Sequence, residues 1–267
     1  MEPVRKARLA TLLGRFWSSS LASELEYPLN VAVEVLAVAG NLAGSLFVLS
    51  LFFGEGRSLG GWSWPASLVV LGCYTLLEGF TVMLLQPNLS RIVSHVQNGT
   101  LDFVLLKPLD SQLWVSLRLI SPWGLPSILA GASLIGVGLA RSGGGGSLAT
   151  AAASLLMLLC STLILYSLWF LLATTSIWFV KVWNATEVLR ALLMAGRYPI
   201  SAFPSGLRLV FTFLLPVAFL TTVPAEALLG RASLSWLSGA LAMAAALLLI
   251  SRLFWRFALR FYTSASS

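Results

Sequence analysis

Charge is scarce in this chain. Of its 267 residues only 10% are Asp, Glu, Lys or Arg, against roughly a quarter in soluble domains. That shortage excludes an ordinary water-soluble globule. Acids are scarcer still, 10 against 17 basic residues. There is one histidine, His95, and there are two cysteines, Cys73 and Cys160. A lone imidazole with no Cys or His at ligand spacing argues against a metal centre. Both cysteines fall inside apolar runs and read as small buried apolar residues, not as a disulfide. The glycine run 143–146 is not followed by Gly-Lys-Ser/Thr, and no Walker A pattern occurs elsewhere. The chain therefore has no phosphate cradle of that kind and is not expected to be an enzyme. Alternating ten-residue strands are also missing, which argues against a membrane barrel.

What is abundant is apolar sequence, 58% of the chain. A bilayer span needs about 20 mostly apolar residues at about 1.5 Å rise each. Six such stretches can be read, at about 28–53, 65–86, 112–140, 149–180, 206–229 and 233–254. Backbone amides in lipid must be satisfied within the segment, so helices are expected. The fold class predicted is an all-α integral membrane protein with six transmembrane helices in a single domain, 1–267. No signal peptide is expected, because the first apolar run starts late and is too long.

The net charge of +7 reflects orientation and not nucleic-acid binding, because the cations are spread over loop ends. On the six-span reading, Arg5, Lys6, Arg8, Arg15, Arg91, Lys107, Arg118, Lys181, Arg190, Arg197, Arg208, Arg252, Arg256 and Arg260 share one side. Only Arg57, Arg141 and Arg231 lie on the other. The positive-inside rule then puts both termini in the cytoplasm. Residues 4–20 carry Leu9, Leu12, Leu13, Phe16 and Trp17 at helical spacing with Arg8 and Arg15 beside them, the pattern of an N-terminal interfacial helix. Trp62, Trp64 and Trp236 mark the outer edge, and Trp17, Trp114, Trp178, Trp183 and Trp255 the inner one. Pro122 and Pro126 predict a kink or a late helix start in the third span. Pro216 does the same for the fifth span, and Pro224 suggests a partly re-entrant segment.

The cytoplasmic stretch 87–110 is too regular for a plain connector. Leu89, Ile92, Val93 and Val96 mark one helical face, with Arg91 and His95 on others. Asn98-Gly99 reads as a helix stop. Thr100 is expected to cap a second short helix with Asp102 in its first turn. Lys107-Pro108 ends that helix, and Asp110-Ser111 can cap the third span. This rigid amphipathic hump suits a socket on a soluble partner. The loop after the fourth span repeats the theme with Leu189, Leu192 and Leu193, then Tyr198 to Pro204 as an extended, proline-fixed run. Two acids fall inside spans: Glu34 about 9 Å in from Pro28 and Glu78 about 20 Å in from Pro65. A charge at bilayer centre costs on the order of 2.5–3.5 kcal/mol on insertion scales. Such acids must face a cavity, pair with a cation or hold a proton, and Glu34 and Glu78 are candidate path residues.

The run Gly99-Thr100-Leu101-Asp102-Phe103-Val104-Leu105-Leu106-Lys107-Pro108-Leu109-Asp110 resembles the G-x-L-D-x-x-L-x-K/R-P element of type-2 ABC export permeases. It is similar in particular to the small six-span subfamily encoded as paired permeases beside an ATPase. The resemblance continues in Glu24-Leu25-Glu26-Tyr27, Gly61-Trp62-Ser63, Tyr198-Pro199-Ile200-Ser201 and the stretch from Leu215-Pro216 to Pro224-Ala225. One departure is Pro28, where many relatives carry Arg. The resemblance implies a fold with both termini cytoplasmic and with cytoplasmic coupling helices. It implies a permease moving an amphipathic or lipid-like substrate outward across the plasma (inner) membrane of a prokaryote. It implies partners as well: two copies of a separate ABC ATPase, which would hold ATP and Mg, and a second permease, related or identical. The chain itself would carry no cofactor. Coupling to the ATPase would fall on Arg91, Asn98, Gly99, Thr100, Leu101, Asp102, Leu105, Lys107 and Pro108. Two other readings stay open: a proton-coupled secondary transporter using Glu34 and Glu78, and a non-transporting membrane scaffold.

Overall fold

A computed structural model describes residues 11, 14–22, 28–53, 58–143, 147–179 and 182–263. Arg5, Lys6, Arg8, Leu9, Leu12, Leu13, Glu24, Glu26, Arg57, Lys181 and glycines 144–146 lie outside the described residues, as do the side chains of Trp183 and Asn184. The described chain is all helical apart from turns and one isolated bridge, Leu59 with Trp62. In order the helices are α1 (14–22), then α2 (Pro28–Leu51), α3 (Trp64–Phe80), α4 (Gln86–Gln97), α5 (Asp102–Leu105) and α6 (Ser111–Leu117). They are followed by α7 (Leu125–Ser142), α8 (Leu148–Thr174), α9 (Val182–Leu193), α10 (Ser205–Leu209), α11 (Val223–Leu228) and α12 (Leu234–Ala258). Five helices are long and apolar enough to cross a membrane: Ala32–Leu51, Trp64–Gln97, Pro122–Ser142, Leu148–Ile177 and Leu234–Ala258. The protein is a multi-pass, all-α membrane protein.

Three features bear on the sequence reading, the first and third as corrections. First, Pro87 does not end the second span. Helices α3 and α4 form one 34-residue rod, joined by a π turn at Thr81–Leu85. Proline lacks the N–H that the carbonyl four residues back would receive. That carbonyl, on Met83, accepts from the backbone N–H of Ser121 instead, at 2.9 Å. Second, the stretch 112–140 is two helices, with the late start of the span that Pro122 and Pro126 predict. Helix α6 stops after seven residues, and the chain restarts with a 3₁₀ turn at Pro122–Gly124. Buried Asn88 holds this break, donating to the Leu119 carbonyl (2.8 Å) and accepting from its N–H (2.9 Å).

Third, residues 182–201 are not a cytoplasmic loop. Helix α9 packs against α8 and α4. The segment then climbs α3 towards its start. Glu187 and Arg190 share a cavity wall with Glu78 and Thr81. The Arg197 guanidinium lies over the Tyr74 ring at 5.0 Å. Tyr198 packs on the cluster of Leu49, Leu68 and Leu71 and meets the Phe52 ring edge-on at 6.0 Å, and the Ser201 hydroxyl donates to the Gly60 carbonyl at 2.7 Å. This segment therefore runs from one end of the bundle to the other and is the fifth crossing. The stretch 206–229 is a bent pair, Ser205–Leu214 and Ala218–Leu228, at 76°. It enters from the end that carries Gly60. The Arg208 guanidinium donates to the Ser201 carbonyl at 3.0 Å, and Ala225 and Leu229 pack on Trp62 and Ala66. Pro216, with no N–H to give, sits in the bend. The crossing count stays at six, and α1 and Tyr262 lie at the same end as α5. Arg190 and Arg197 leave the cytoplasmic tally for the interior, and Arg208 leaves it for the opposite face.

The tightest packing is between α3 and α7. Gly72 and Gly79 on one, and Gly131 and Gly138 on the other with Gly124 just ahead of it, repeat every seven residues. A Cβ on Gly124 would sit 2.1 Å from the Gly79 carbonyl oxygen, and one on Gly131 would sit 2.5 Å from the Leu76 nitrogen. Small residues at such positions let two membrane helices meet backbone to backbone.

Candidate functional site

Two regions carry polar chemistry. The first is the elbow after the long rod. Its turn is a Schellman cap: the Thr100 N–H bonds the His95 carbonyl (2.9 Å) and the Gly99 N–H bonds that of Val96 (3.3 Å). Gly99 supplies the left-handed φ of 64° that this cap requires. Thr100 was expected to cap α5, but its hydroxyl instead meets His95 Nδ1 at 2.7 Å, and α5 has no side-chain cap. Leu101 and Val104 are buried in the main core. Arg91, Asn98, Leu105, Lys107 and Pro108 are exposed, while Gly99, Thr100 and Asp102 are half-buried. Of the predicted coupling set, Leu101 is thus an anchor and not a contact. The side chains offered outward that the sequence reading omitted are Phe103, 68% exposed, and Leu106, 81% exposed. Their i, i+3 spacing, opposite the 101/104 pair, was the available signal.

Both ends of the elbow are fastened. Asp110 caps α6 by accepting from the Leu113 N–H at 3.0 Å and forms an ion pair with Arg252 of α12. That guanidinium also reaches Gln112 Oε1 at 3.2 Å, and the Gln112 amide donates to the Tyr166 hydroxyl at 3.1 Å. The hydrogen bond from Arg252 holds the Asp110 carboxyl below its ordinary value, against a smaller opposing effect of burial. Burial raises the Tyr262 phenol, and the Asp102 carboxylate beside it raises it further, so the C-terminal segment touches the elbow. Lys107 stands 4.5 Å over the Trp114 ring. Trp114 meets Phe16 edge-on at 5.3 Å, and Trp17 Nε1 donates to the Leu117 carbonyl at 2.9 Å. Helix α1 is thereby laid across α6.

The second region is a cleft inside the bundle. One cavity, of about 320 Å³, is bounded by Leu77, Leu165, Trp169 and Leu220 with Glu78, Glu187 and Arg190. A second, of about 160 Å³, is lined by Glu34, Asn41, Ser45, Thr75, Glu78 and Ser127. Tyr74, Glu78 and Arg190 line both. The two acids singled out from sequence, 44 positions apart, are thus on one wall system. Arg197 donates to Asn41 Oδ1 at 3.0 Å, which places a guanidinium at the edge of the polar chamber. Arg190 lies 3.9 Å from Glu187. Neither Glu34 nor Glu78 makes an ion pair among the described residues. Sequence reasoning did not assign Arg190 and Arg197 to this cleft because it counted them among surface cations.

Residues 39–266 match the family described as ABC-2 family transporter protein. No curated protein and no solved structure matches the chain.

Proposed function

Since this chain belongs to the ABC-2 transporter family and is a membrane permease of an ABC transporter, we propose that it is the export subunit driven through its elbow by a separate ATPase. The ATPase subunits carry ATP and Mg, and a second permease, identical or related, completes the path. The substrate is amphipathic and moves outward across a prokaryotic plasma membrane. Access changes by a population shift between two states that the ATPase contacts differently. The observation that carries this reading is the elbow. Leu101 and Val104 are sunk in the core while Phe103, on the four-residue α5, and Leu106, just past its end, are exposed. A rigid mount with two bare apolar side chains fits an apolar socket on a soluble partner.

The test replaces the outward pair and spares the anchors. Phe103→Ala with Leu106→Asp should reduce co-purified ATPase subunit at least tenfold while the thermal melting of the permease alone stays unchanged. An unaltered complex with unaltered stimulated ATP hydrolysis rejects the assignment. Leu101→Asp is a poor probe, because a fully buried side chain would take the core down with it.

A further inference from the structure

We propose that the cleft binds an amphipathic organic cation, with its charged nitrogen against Glu78 and Glu34 and its apolar body in the chamber of Leu77, Leu165, Trp169 and Leu220. This rests on the permease reading and adds the substrate's charge. The first ground is electrostatic. The walls carry three carboxylates, Glu34, Glu78 and Glu187, and two guanidiniums stand at them, Arg190 within and Arg197 at Asn41. Arg190 pairs with Glu187 at 3.9 Å. Arg197 is held by Asn41 and the Tyr74 ring. Glu187 is half exposed, whereas Glu34 and Glu78 are half-buried. Glu78 has a hydrogen bond from Tyr74, which supplies no charge, so one carboxylate is left in excess where unneutralised charge is costly. An incoming cation removes that cost and an incoming anion adds to it.

The second ground is independent of charge. Trp169 and Thr221 both line the larger chamber and are 2% and 1% exposed. Trp169 Nε1 and Thr221 Oγ1 have no hydrogen-bond partner among the described residues. Buried polar atoms are satisfied in the great majority of cases, and an indole N–H can only donate. Each atom has less than 1 Å² of accessible surface, so an occupant carrying an acceptor meets that demand once a small side-chain shift opens the atom to the chamber. The third ground is shape. The two chambers share Glu78 and Tyr74, so the cleft is apolar with an aromatic wall on one side and hydroxyl- and amide-lined on the other. Carboxylate with aromatic faces is the side-chain set that recognises alkylated ammonium groups.

The experiment uses two probes of the same shape and opposite charge, tetraphenylphosphonium and tetraphenylborate, with the full-length chain in neutral detergent. Specific binding is the part lost in Ala191→Trp, which fills the larger chamber from its exposed α9 wall. The phosphonium should bind saturably and at least tenfold tighter than the borate. Glu78→Gln should weaken it at least fivefold, Glu34→Gln should weaken it less, and Glu78→Asp should stay within about threefold of the parent chain. Thermal melting of each variant separates lost binding from lost fold. If Glu78→Gln does not fold, Glu34→Gln, at a half-buried position on α2, decides the matter. Equal or tighter borate binding overturns the proposal. So does phosphonium binding untouched by the carboxamide variants, or the absence of saturable binding of either probe. A failed elbow test with intact phosphonium preference would reject the ATPase coupling alone, and the reverse would reject only the cation.

Discussion

At the scale of single residues, Asp110 has the clearest thermodynamic consequence. Its carboxyl is lowered in the folded chain, first by Arg252. The stability it contributes is complete above the ordinary value of 3.8 and is lost as pH falls through the lowered one. Both side chains are about a third exposed (33% and 30%), so solvent screening holds the contribution to about 1 kcal/mol or less. Asp110→Asn should lower the melting temperature at pH 7 by about 2–4 °C. The same variant should flatten the decline that the parent chain shows between pH 4 and pH 2. Melting curves across that range check both statements, and an identical acid decline in the variant contradicts them. Asp110 was legible in the sequence as a cap because capping is local. Its partner was not, because Arg252 lies 142 residues away and reads as an end-of-span cation.

At the scale of elements, the α3–α7 seam decides whether the bundle forms. The seven-residue glycine period was present in the sequence, but apolar-window reasoning counts glycine as filler and passes over it. Gly124→Ala places a methyl 2.1 Å from the Gly79 carbonyl, and backbone on both sides leaves no flexible group to yield. This variant should lose most monodisperse protein on size exclusion after detergent extraction. Gly136→Ala, which meets nothing within 4 Å, should match the parent chain. Equal recovery of the two would show that the seam is looser than described. The long rod was misread for a related reason. Proline reads as a helix end, whereas here a π turn and the borrowed N–H of Ser121 carry the helix through it. Long apolar runs such as 149–180 and 233–254 needed no such correction, because length and composition alone specify them.

At the scale of the molecule, the sequence gives the right number of crossings with the wrong fifth one. The bent pair holds more apolar residues than α9, so a window scan prefers it. Contacts with Gly60 and Tyr74 are what assign the crossing to 182–201. Cysteine labelling tests this directly, because Cys73 and Cys160 are buried. On intact cells an impermeant maleimide should modify Ser201→Cys, and Leu106→Cys should react only after lysis. Labelling of both from one side would restore the loop reading and refute the fifth crossing.

The unbroken rod has a mechanical consequence. Gln97 lies about 28 Å along the axis from Glu78, and the places between them where the helix can bend are the π turn at Thr81–Leu85 and Pro87 just after it. Swinging the lower arm by about 10° around that turn would carry the elbow sideways by about 3 Å over its roughly 18 Å length. Because α7 is welded to the upper arm, the stroke cannot be taken up by sliding there. If the elbow is where a partner pushes, as proposed above, the stroke is expected to arrive as a change in the width of the space around Glu78, much as a crank turns a small displacement at one end into the opening of a valve at the other.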